Sequence, residues 1–108
     1  MTVAQLCEAA KLTAVVMPEP EREIDGAYCG DLLSWVMGKA TSGDAWITIM
    51  SNVNILAVAS LVDVACILLA EGVRPDEEVV KTAQSKGINI LSSDETAYKL
   101  ATVVDKLI

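Results

Sequence analysis

The stretch from Ala45 to Ala70, AWITIMSNVNILAVASLVDVACILLA, is one apolar sweep broken by a polar turn, and it limits the chain to very few folds. Trp46 to Met50 is short, apolar and β-branched, which predicts a strand. Ser51-Asn52-Val53-Asn54 supplies turn and capping chemistry ahead of a helical stretch, with Asn52 as the expected cap. Val64 to Leu69 is again continuous in apolar residues. Strand, helix and strand in this order make a βαβ unit. Strands without alternation are those buried on both faces of a parallel sheet.

The flanking sequence extends the alternation. Thr2 and Gln5 stand in capping-box spacing at the head of a helix to Ala10, with Val3, Leu6, Ala9 and Ala10 on one face. Leu12 to Met17 predicts a strand stopped by Pro18-Glu19-Pro20-Glu21, because proline lacks the ladder donor. Tyr28 and Cys29 predict a short strand, and Asp31 is the expected cap of a helix carrying Leu32, Leu33, Val36 and Met37. Beyond Leu69, Pro75-Asp76-Glu77-Glu78 opens an acidic helix start, and Gly87 is the expected left-handed stop. Ile88 to Leu91 predicts the last strand. Ser92-Ser93-Asp94 should cap a final helix with Ala97, Leu100, Ala101, Val104 and Leu107 in one stripe. The fold class is therefore α/β, a mainly parallel central sheet with helices on both faces, in a single compact domain over residues 1–108.

Charge and rare residues exclude several functions. Fifteen acidic against eight basic residues give a net charge of −7, so a nucleic-acid partner is not expected. Histidine is absent, which removes the commonest general base and metal ligand. Cys7, Cys29 and Cys66 are scattered without CxxC spacing, so neither a disulfide framework nor a metal site is expected. Of the three, Cys29 has the best claim to reactivity, being near a helix start, whereas Cys66 in VACILLA reads as core. The carboxylates Glu19, Glu21, Glu23 and Asp25 read as solvated loop charge, and no catalytic residues or cofactor are assigned. No apolar run reaches the ~20 residues of a membrane span, and no signal peptide is read at the start. The cytoplasm is the expected compartment.

Candidate ligand residues follow the strands. In open α/β sheets, ligands collect outside the carboxyl ends of the strands. Ser51, Asn52 and Asn54, then Glu71 and Gly72, then Ser92, Ser93, Asp94 and Thr96 are the polar residues at those junctions, where a helix start favours an anion. Each set is equally explained as turn and cap residues. A hydrophobic fraction of 53% and mean hydropathy of +0.45 are high for so small a domain, which predicts a shared apolar surface. Trp35 with Leu32 and Val36 on the helix from Asp31 to Ala40 is the expected homodimer contact; the alternative is that Trp35 lies beneath the loop from Glu19 to Ala27.

Tyr28-Cys29-Gly30-Asp31-Leu32-Leu33, Gly43-Asp44-Ala45-Trp46-Ile47-Thr48-Ile49, Asn54 to Ala59, and Ile67-Leu68-Leu69-Ala70-Glu71-Gly72 with Pro75 resemble the DRTGG domain family. Its members stand alone, as short proteins, or are fused to CBS domains or within phosphate acetyltransferases, and they resemble the amino-terminal domain of HPr kinase/phosphorylase. The family's namesake five residues do not occur here as a string, and Gly-x-x-x-x-Gly-Lys is absent, so kinase activity does not carry over. The resemblance implies an α/β domain, dimeric, with a regulatory or sensing role. The leading expectation is thus a non-catalytic module binding a small ligand, such as a nucleotide or other phosphorylated metabolite, or a partner protein. A pure interaction subunit is the second reading and a small enzyme the third.

Overall fold

A computed structural model describes all 108 residues. The elements run α1 (Val3–Ala9), β1 (Thr13–Val16), β2 (Gly26–Cys29), α2 (Leu33–Lys39), β3 (Asp44–Thr48), α3 (Asn54–Val62), β4 (Cys66–Leu69), α4 (Glu77–Lys86), β5 (Ile90–Ser92) and α5 (Ala97–Leu107). The strands form one sheet in the order β1-β5-β4-β3-β2. β2 to β5 are mutually parallel, and β1 joins the far edge antiparallel to β5. The α/β class and the mainly parallel sheet read from the sequence are thus both present.

Residue alternation along the buried strands divides the core. Trp46, Ile67, Leu69 and Ile90 point to the face covered by α2, α3 and α4, where they meet Val36, Ile55, Leu56, Ala59, Val79 and Ala83. Ala45, Ile47, Cys66, Leu68 and Leu91 point to the other face and pack with Val3 and Leu6 of α1 and with Leu100 and Val104 of α5. All residues of β3, β4 and β5 are buried, as an unalternating apolar strand requires.

Several local expectations hold in detail. Thr2 and Gln5 form the reciprocal capping box of α1. α4 starts on the acidic residues Glu77 and Glu78, with Asp76 just outside it as the cap that accepts the N–H of Val79, and Gly87 closes that helix at φ +73. Gly43 has φ +87, and a Cβ there would collide with the Asp25 carboxylate, so the turn into β3 needs glycine.

Others are corrected. Asp31 does not cap α2: Leu32 occupies the cap position without a side-chain bond, because the Asp31 carboxylate is drawn to β3 instead. That contact takes up the N–H of Ile49, so β3 ends at Thr48 and is displaced towards Asp44 relative to the expected span to Met50. α5 is capped by Thr96, whose hydroxyl accepts the Lys99 N–H at 3.2 Å, and not by Ser92-Ser93-Asp94. Ser92 is instead the last residue of β5. Asn52 is not in the cap position of α3, which Val53 occupies without a side-chain bond; Asn52 Oδ1 accepts the Asn54 N–H at 2.9 Å from one residue further back.

Candidate functional site

Because β2 to β5 run in parallel, the segments that follow them gather at one edge of the sheet. After β2, Asp31 Oδ1 accepts the Thr48 hydroxyl at 2.8 Å and the Ile49 N–H at 3.0 Å. The Thr48 hydroxyl oxygen in turn accepts the Met50 N–H at 3.2 Å. This chain of three bonds fixes where β3 releases the backbone into the turn at Ser51.

After β4, Glu71 and Gly72 both hold left-handed backbone, with φ of +61 and +73. The turn is sewn to the segment after β5: the Glu71 N–H donates to the Glu95 carbonyl at 2.8 Å and the Gly72 N–H to the Ser93 carbonyl at 2.9 Å. Glu71 Oε2 accepts the Ala97 N–H at 2.9 Å, so a carboxylate of the chain already sits at the start of α5. Arg74 pairs with Asp94 at 3.0 Å, and both side chains are well exposed. Ser93 Oγ accepts the Glu95 N–H at 3.0 Å.

Glu71, Gly72, Ser93 and Asp94 are therefore brought into one bonded cluster, and Thr96 sits just beyond it. Ser51, Asn52 and Asn54 lie at the same edge beside β3, without a hydrogen bond to that cluster. Ser92 is 1% exposed and its hydroxyl has no partner, so it faces the interior rather than an open crevice.

The helix starts at this edge differ in what remains free. α4 begins with Asp76, Glu77 and Glu78, and α5 is served by Thr96 and Glu71. α3 has no acidic residue in its first turn; its Asn54, Ile55 and Leu56 N–H groups are taken by Asn52 Oδ1, the Asn52 carbonyl and the Val53 carbonyl, and the N–H groups that make no bond within the chain are those of Ser51, Asn52 and Val53 in the turn before it. Free donors in a turn that leads into a helix attract an anion.

Sequence reasoning missed Arg74 and the bond that joins Asp31, read as a helix cap, to Thr48. The first was signalled by a lone cation between Gly72 and Pro75 in an acidic chain. The pairing of the other two depends on tertiary register and had no local signal.

Concave surface lies elsewhere. One groove of about 460 Å³ runs between β2 and the end of α5, lined by Ala27, Tyr28, Cys29, Ala101, Asp105 and Ile108 among others. A second concavity borders Met1, Gln5, Glu8 and Ala9. Cys29, in the first groove, is exposed, and partial burial with the nearby Asp31 charge pushes its thiol up, away from nucleophilic character. Burial pushes Cys66 up to about 12, in keeping with a core thiol.

The DRTGG domain family matches residues 29–107, from the end of β2 through α5. The chain belongs to the DRTGG domain family. The fold of this DRTGG domain is also that of a solved structure: the CBS and DRTGG domains of the regulatory region of Clostridium perfringens pyrophosphatase, complexed with its activator, diadenosine tetraphosphate. The TM-score is 0.71 at 13% identity, over 95% of this chain and 45% of that one. The DRTGG domain here thus spans less than half of that regulatory region. Comparison with curated proteins finds no match.

The expected interface residues are separated by the fold. Trp35 is 57% and Leu32 59% exposed, whereas Val36 is fully buried in the core and cannot lie on a free face. Nor is Trp35 beneath the Glu19 to Ala27 loop; its ring is open to solvent with Lys39 Nζ 4.1 Å from its centre.

Proposed function

We propose that this DRTGG domain is a non-catalytic regulatory module that binds an anionic small ligand at the carboxyl edge of its sheet. The observation that carries the reading is the turn before α3, where Ser51, Asn52 and Val53 offer unbonded N–H groups and the first turn of the helix has no acidic residue. Asn52 and Asn54, both exposed, would supply side-chain amides beside the anion. Arg74, the cation of the neighbouring cluster, would add charge once released from Asp94. The class to test first is the nucleotide polyphosphate, since a regulatory region containing the same domain type was solved with diadenosine tetraphosphate.

The proposal has the protein act in the cytoplasm as a homodimer joined through Leu32 and Trp35. No helix is long and apolar enough to cross a membrane. A thermal-shift screen over nucleotides and phosphorylated metabolites tests the reading. A ligand at a hundredfold its dissociation constant should add about 2.7 kcal/mol of stability. No stabilisation by any phosphorylated compound overturns it.

A further inference from the structure

Charge is spread unevenly over the helices. α1 carries Glu8, α4 opens on Glu77 and Glu78, and α5 carries Asp105, all of them exposed. α2 and α3 carry no carboxylate. From Leu32 to Val62 the charged residues are Lys39 and Asp44, and Asp44 is buried in β3. The acids at the two borders are engaged within the chain, Asp31 with Thr48 and Asp63 with Arg22. In a chain of net charge −7 this leaves one helical surface free of acid.

That surface is continuous. α2 and α3 pack side by side on one face of the sheet, with Val36, Ile55, Leu56 and Ala59 turned inward. Ser34, Trp35 and Gly38 are exposed on the outside of α2, and Val53, Ala57, Ser60 and Leu61 follow at helical spacing on the outside of α3. Leu61 is 72% and Val53 45% exposed. The space above Gly38 is open, so Gly38 and Ala57 keep part of the face low while Trp35 and Leu61 stand out from it.

Charge and composition select the occupant. A basic partner is drawn to the acidic helices and gains nothing here, and an anionic membrane repels a chain of this net charge. Two copies of an acidic chain repel each other through every face that bears carboxylates, and least through this one. A face depleted of charge and rich in apolar side chains has the composition of a contact between like subunits, and two-fold pairing is the commonest arrangement. Large and small residues on the same face also suit self-pairing, with Trp35 and Leu61 of one copy against Gly38 and Ala57 of the other.

We infer that the outer face of α2 and α3 is the two-fold interface with a second copy of this chain, in which Val53, Ala57, Ser60 and Leu61 join Trp35. The inference rests on the homodimer of the proposed function and extends its contact from α2 across α3.

Sedimentation equilibrium on the wild type, Leu61→Glu, Ala57→Glu, Trp35→Glu and the control Gln84→Glu tests it, with circular dichroism to follow folding. Leu61, Ala57 and Gln84 are exposed on helices, so the variants should keep the fold. The wild type should sediment as a dimer, and each α3 variant should weaken the dimer by about tenfold or more while Gln84→Glu leaves it unchanged. Dimers of unchanged strength in folded Leu61→Glu and Ala57→Glu overturn the inference; if Trp35→Glu is then monomeric, the homodimer of the proposed function stands with its contact confined to α2. An equal loss in Gln84→Glu overturns it by tracing the effect to net charge. A monomeric wild type overturns both, and binding of that monomer to phosphatidylcholine vesicles would give the face to a lipid surface instead.

Discussion

Asn89 binds Glu19 as one strand binds another: its Nδ2 donates to the Glu19 carbonyl at 2.8 Å and its Oδ1 accepts the Glu19 N–H at 2.9 Å. A further bond from Nδ2 reaches the Ala65 carbonyl at 3.0 Å, and the side chain is 2% exposed. The amide thereby ties the segment after β1 to the start of β5 and to the turn before β4. Asn89→Ala should cost about 2 kcal/mol, since it strands buried partners as well as losing bonds. Thermal denaturation checks this, and a variant melting with the wild type contradicts it.

Asp31 locks the end of β3 rather than the start of α2. Asp31→Ala should therefore speed hydrogen exchange at Ile49 and leave the first turn of α2, Leu33 to Trp35, little changed. The stability loss should be about 1 kcal/mol, the ordinary net worth of such bonds to an exposed carboxylate. Faster exchange in α2 with Ile49 unaffected would restore the capping role.

Asp63 ends α3 at φ +68 and holds Arg22 through both carboxylate oxygens, at 3.0 and 3.1 Å, while Ser42 donates to it at 2.6 Å. The Arg22 bonds, then the Ser42 bond, hold its carboxyl below the ordinary range. A lowered folded pKa means the contribution is full above the unfolded carboxylate value and is lost as pH falls through the folded one. Asn tolerates the left-handed backbone, so Asp63→Asn isolates the charge. The variant should lose less than about 1 kcal/mol at neutral pH, because the pair is largely solvated and screened. Denaturant midpoints of the two proteins should converge as pH drops from about 4 downward. A gap that persists in acid would assign the effect to something other than ionisation.

Trp35→Glu tests assembly. The ring is exposed and its contact is with Lys39, to which a glutamate four residues earlier pairs favourably, so the variant should stay folded. Light scattering should give a dimer for the wild type and a monomer for the variant. A monomeric wild type, or a variant that remains dimeric, removes Trp35 from the interface.

The fold was legible wherever one residue type sufficed to decide an element. The presence of strands at β3 and β4, the capping box at Thr2, the acidic start of α4 and the Gly87 stop act through neighbours in sequence, and they were read correctly, though β3 lies two residues earlier than expected. Polar residues with two candidate partners were not. Asp31 chose Thr48, seventeen residues away, over the helix beside it, and Ser92 entered the sheet, leaving capping to Thr96. The junction residues were rightly placed at strand ends. Only the contact between the Glu71 turn and the Ser93 to Glu95 segment shows which of them share a surface, and parallel register creates that contact.

The most direct test of the central claim is a 15N-labelled titration with adenosine tri- and tetraphosphates and diadenosine tetraphosphate, on the wild type and Asn52→Ala. Binding should move the amides of Ser51, Asn52 and Val53 first, with smaller changes at Gly72 and Arg74, and Asn52→Ala should weaken it about tenfold while the domain stays folded. Shifts confined to the groove between β2 and α5, or none with any of these compounds, would contradict the account.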